Sequence, residues 1–247
     1  MARPYNLGYK EKNTLYFKET FMKKTFLSPF FTPLFFLITW GALLAVVLIF
    51  FPEKKFEITE DGQIIDIATY CGYALLIFSL FFFYLDYKGR CAKTDWVVYL
   101  LLSVCALLRE AGIQHHLTTS DSTPFKSKFF LNPNNPLSEK IIFGIVLLVV
   151  FGMIAYLAIK YTKHLITSFF KMNTVTWSTA VLCCDLVFAK FADRFPGNWR
   201  KAHDGISLPR EQIEIWSLLE ESSEIFLPVV AFIILWQYHL LLKEKNN

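Results

Sequence analysis

Trp96-Val-Val-Tyr-Leu-Leu-Leu-Ser-Val-Cys-Ala-Leu-Leu-Arg-Glu-Ala-Gly-Ile-Gln-His-His116 begins as thirteen residues without a charge and ends in an arginine, a glutamate and two histidines. The first part is soluble in hydrocarbon. The second is not, because a charge at the bilayer centre costs at least ~2.5–3.5 kcal/mol per residue and is kept where it faces a partner or a wet cavity. The stretch therefore predicts a membrane helix that carries its polar chemistry at one end.

Similar apolar runs lie on either side. The chain has 247 residues, 54% of them hydrophobic, and 26 are Phe. Crossing hydrocarbon takes roughly 18 or more apolar residues, and a soluble domain of this length does not repeat such runs. Six spans are expected, at about 29–51, 64–85, 95–116, 140–159, 174–191 and 225–242. The fold class is an all-α polytopic integral membrane helix bundle. Residues 1–28 form a basic arm, 29–242 the bundle and 243–247 a short tail. The connections at 53–63, 118–138 and 193–211 share one side.

Lysine and arginine crowd the arm, the turn at 86–93, the connection at 160–171 and the tail. With six spans these four segments share the other side, and the positive-inside rule makes that side cytoplasmic. Both termini are then cytoplasmic. Asp185 interrupts the fifth span, and without that crossing the C-terminus changes sides. A bacterial inner membrane is the expected location. The net charge of +4 lies mostly in short connections, so it speaks to membrane orientation and not to nucleic acid.

The five cysteines include no CxxC pair, and four of them lie in apolar runs. They are read as small hydrophobes and not as a disulfide or zinc framework. GxSxG, Walker, GxGxxG and CxxCH motifs are absent from the chain.

The topology gathers ionisable residues at the outer ends of three helices. Arg109 lies about 21 Å along its helix from Asp95, with Glu110, His115 and His116 beyond it. At about 100° per residue, Cys105, Arg109, Gly112 and His116 share one stripe. The fifth span adds Asp185, Lys190 and Arg194, and the sixth adds Glu220, Glu221 and Glu224. Catalytic candidates are Glu110, His115, His116, Asp185, Glu221 and Glu224. Arg109, Lys126, Lys128 and Arg194 are candidates for binding anionic groups. His116, Asp185, Glu221 and Glu224 are the donor types for a divalent metal such as zinc. The same residues also suit a salt-bridge network between helices.

Lys126 and Lys128 sit among Phe125, Phe129 and Phe130, a mixture suited to lipid phosphates at an interface. The expected partners are membrane lipids, anionic glycolipid or phospholipid among them, or another membrane protein. The expected activity is hydrolysis of a lipid or lipid-linked substrate from the outer, periplasmic leaflet. The alternatives are an accessory subunit of a membrane complex and a proton- or ion-coupled transporter.

Overall fold

A computed structural model of the chain describes residues 23–51, 64–86, 93–118, 124 and 127–244. Most of the basic arm, the 53–63 connection, most of the 86–93 turn, Lys126, the side chain of His115 and the end of the tail lie outside the described residues. Every regular element among the described residues is helical. They are α1 (Phe31–Phe50), α2 (Ile64–Asp86), α3 (Lys93–Glu110), the short α4 (Ile113–His116) and α5 (Ser127–Leu131), then α6 (Leu137–Phe170), α7 (Thr174–Ala202) and α8 (Arg210–Glu244).

Five of these helices are long and apolar enough to cross a membrane: α1, α2, α6, α7 and α8. The expected third span, α3, does not meet that mark, because its 18 residues include Lys93, Asp95, Arg109 and Glu110. It nevertheless runs beside α2 through the same layer. Trp96 near its start packs in one cluster with Leu80 and Phe83 of α2. At its other end, the Tyr70 hydroxyl of α2 donates to the Glu110 carbonyl at 3.0 Å. The fifth span, which Asp185 appeared to interrupt, does qualify. Asp185 is turned into the bundle, 2% exposed, and so shows no charge to lipid.

Central to the bundle is α8, which packs on α7, α2 and α1. Three polar side chains pin these helices together near the chain termini. Ser178 Oγ donates to Gln237 Oε1 at 2.6 Å, and Gln237 Nε2 donates to Thr32 Oγ1 at 3.2 Å. Thr32 Oγ1 and Ser178 Oγ are 2.6 Å apart. Since the Ser178 proton is already given to Gln237, Thr32 closes the ring by donating to Ser178. All three residues are 0% exposed. In hydrocarbon, unpaired polar groups of this kind are costly, so the ring holds α1, α7 and α8 in register.

Among the long helices, the apolar α6 packs mainly on α3 and α7. Only 6% of its most apolar stretch is buried, against 33% for α8. Sequence alone ended this span near residue 159, but the helix continues to Phe170. No glycine or proline intervenes between Gly152 and Asn173, and the stop comes at a left-handed Met172 with φ 55°. Asn173 then caps α7 by accepting the Thr176 N–H at 3.2 Å, as the unpaired amides of a helix start require. Lys160 is therefore a helical residue. Its ammonium reaches Asp95 of α3 at 2.6 and 2.8 Å, and the Tyr156 and Tyr161 hydroxyls donate to the same carboxylate at 2.8 and 2.5 Å. The 193–211 connection is likewise shorter than expected, because α7 continues past residue 191. Helix α7 runs through Pro196 to Ala202, and the turn is made by Asp204 and Gly205, both at positive φ.

Candidate functional site

Further along α7 and α8 from the Gln237 ring, beside the end of α3, the three helices bring carboxylates together. Arg109 and Glu110 are the last two residues of α3. Arg109 lies 3.3 Å from its neighbour Glu110 and 3.5 Å from Glu224 of α8. The Glu110 and Glu224 side chains are 13% and 12% exposed, while that of Arg109 is 51% exposed. The guanidinium thus forms the open side of a mostly covered pair of carboxyls. One guanidinium thus brings together carboxyls from two different helices.

Behind this pair, Ser223 on α8 donates its hydroxyl to Asp185 Oδ1 on α7. Asp185 Oδ2 has no hydrogen-bond partner among the described residues. Ser222, also fully buried, accepts the Trp40 indole N–H of α1 at 2.9 Å. The same Trp40 ring meets Phe188 of α7 edge-on at 5.4 Å. Small hydroxyl residues at 222 and 223 therefore let α8 approach α1 and α7 closely while satisfying a donor on one and a carboxylate on the other. Glu220 and Glu221 are half-buried one turn earlier on α8.

Four of the expected residues, Glu110, Asp185, Glu221 and Glu224, lie in this layer together with Arg109. Three others do not join it. His116 is exposed and sits on α4, which is separated from α3 by Gly112 at φ 64°. That left-handed residue takes the chain out of the α3 axis, so the expected stripe of Cys105, Arg109, Gly112 and His116 on one helix is not formed. Lys128 on α5 and Arg194 on α7 are exposed, and Lys190 is paired with Asp193. Among the described residues, no group of three or more His, Cys, Asp or Glu side chains is placed to hold a metal ion. The set His116, Asp185, Glu221 and Glu224 is therefore not assembled as a ligand cluster.

The 118–138 connection is packed down where it is described. Thr118 donates to Glu139 at 2.6 Å, Lys140 to the Asn132 carbonyl at 2.7 Å and Asn135 to the Phe129 carbonyl at 2.8 Å. Phe129 is 0% exposed and meets Phe143 of α6 edge-on at 5.6 Å. Its aromatic character thus serves to hold the start of α6.

Sequence reasoning missed Ser222, Ser223, Trp40 and Tyr70. The adjacent serines inside an otherwise apolar helix were the available signal, since such residues mark close helix contacts in membranes. Tyr70 left no signal, because its acceptor is a backbone carbonyl on another helix. Compared with family models, curated proteins and solved structures, the chain matches none of them.

Proposed function

We propose that this protein is an integral membrane hydrolase of lipid or lipid-linked substrates, with Glu110 and Glu224 as its acid–base pair. The observation that carries this reading is the convergence of the two carboxyls, from different helices, on one half-exposed Arg109. In hydrolysis the ionised member takes a proton from the attacking water while the protonated member gives one to the leaving oxygen. Two carboxyls held by one guanidinium supply both roles when one carries a proton and the other does not. Arg109 holds the pair in place, and its open face attracts an anionic headgroup. By the positive-inside rule this end of the bundle faces the outer leaflet, since Lys160, Lys163 and Lys171 lie toward the other end.

The test is lipid mass spectrometry on cells lacking the chain and on cells re-expressing wild type, Glu110→Gln or Glu224→Gln. The expected result is a lipid species that accumulates in the null strain, is cleared by wild type and persists with either variant. Variants that unfold at the wild-type temperature and still restore the lipid profile would sink the hydrolase reading.

One observation favours a second reading, that of an accessory subunit. Helix α6 spans 34 residues yet leaves Leu148 73% and Ile159 84% exposed. A photo-crosslinker at Leu148 distinguishes the cases. A discrete protein adduct supports a subunit role, whereas adducts with lipid alone leave α6 as a bilayer-facing helix.

A further inference from the structure

We propose that Asp185 anchors a binding site for one univalent cation, a proton or a sodium ion, between α7 and α8. This goes beyond the hydrolase reading and does not depend on it. Asp185 is 98% buried by its 2% exposure, and its two carboxylate oxygens are treated unequally. Oδ1 receives the Ser223 hydroxyl, whereas Oδ2 has no partner among the described residues. A buried carboxylate is tolerated when it is paired or neutralised.

The surroundings do not supply that positive charge. Glu224 follows Ser223 on α8, with Glu220 and Glu221 one turn away, and a carboxyl supplies no positive charge in either protonation state. From α2 comes the buried and neutral Tyr73. On α3, Arg109 is engaged with Glu110 and Glu224. On α7 itself, Lys190 is engaged with Asp193. Helix α1 contributes the neutral Trp40.

A carboxylate oxygen is a hard donor, suited to a proton or an alkali cation. On the same helix as Ser223, Pro228 has no N–H to give to the carbonyl of Glu224 four residues earlier. Broken hydrogen bonding in the middle of a membrane helix is tolerated where another partner takes the freed carbonyl, and cation sites of transporters use such carbonyls. One buried carboxylate with one unpartnered oxygen matches one positive charge better than two.

The experiment uses the full chain in detergent. Thermal unfolding is compared in sodium chloride, choline chloride and magnesium chloride at equal ionic strength, and infrared spectra are recorded across pH for wild type and Asp185→Asn. At ten times its Kd, a bound sodium ion raises Tm by about 3 °C or more. A sodium-specific rise that disappears in Asp185→Asn supports sodium. A carboxylic-acid carbonyl band that is lost in Asp185→Asn and indifferent to sodium supports the proton. Stabilisation by magnesium alone, or the absence of both a sodium effect and a band from Asp185, overturns the proposal. The wild-type salt series decides the sodium arm even where Asp185→Asn fails to fold. Asp185→Glu, which keeps the charge but displaces it, is then the comparison for the band.

Discussion

Gly72 of α2 lies against Pro228 of α8 so closely that a β-carbon on Gly72 would stand 2.8 Å from Pro228 Cγ and 3.3 Å from Cβ. Pro228 is fully buried, and its ring cannot swing aside as a long side chain would. Gly72→Ala is expected to push α2 from α8 and to destabilise the bundle by about 1–3 kcal/mol. Thermal unfolding of Gly72→Ala, Pro228→Ala and the double variant checks this. The double variant recovers part of the loss if the clash is the cause, and recovers none if Gly72 matters for another reason.

The ring of Thr32, Ser178 and Gln237 gives a second prediction. Gln237→Leu removes two hydrogen bonds to side chains and one to the Phe26 carbonyl. Thr32 and Ser178 then remain buried with unmet hydrogen-bonding capacity, a loss of roughly 1–3 kcal/mol. Replacing all three by apolar residues of similar shape is expected to cost less than Gln237→Leu alone. Denaturation midpoints of the single and triple variants measure the difference.

Trp40→Phe keeps an aromatic ring against Phe188 but loses the indole donor to Ser222. The expected cost is about 1 kcal/mol. Ser222→Ala in the Trp40→Phe background should add little, because the two residues act as one pair. A double-mutant cycle that gives additive losses would show that the hydrogen bond contributes nothing.

Asp95 gathers Lys160, Tyr156 and Tyr161 onto one carboxylate and ties the lower part of α6 to α3. Since α6 touches the bundle in few other places, Asp95→Ala is expected to loosen α6 more than any other helix. Hydrogen–deuterium exchange should rise around residues 150–165 while α8 stays protected. Uniform exchange across all helices would show that the pair is peripheral to the packing of α6.

The membrane class was legible in the sequence because it depends on local quantities. Runs of roughly 20 apolar residues and the placement of lysines can be counted along the chain, and hydrocarbon selects helices from such runs. The approach of Arg109, Glu110, Asp185, Glu221 and Glu224 to one layer also followed, since in an up-and-down bundle the position along each helix fixes depth. Depth does not fix azimuth or partner. Whether Asp185 faces lipid or Ser223, whether Lys160 ends a loop or grips Asp95, and whether Gly112 continues a helix or breaks it depend on how helices rotate and tilt against each other. That rotation is set by contacts such as Gly72 on Pro228 and Trp40 on Ser222, between residues far apart in the chain. The sequence by itself determined an all-helical membrane protein with a polar end. Tertiary packing alone decided that Arg109 joins Glu110 to Glu224, that Asp185 keeps one oxygen without a hydrogen-bond partner, and that His116 stands outside.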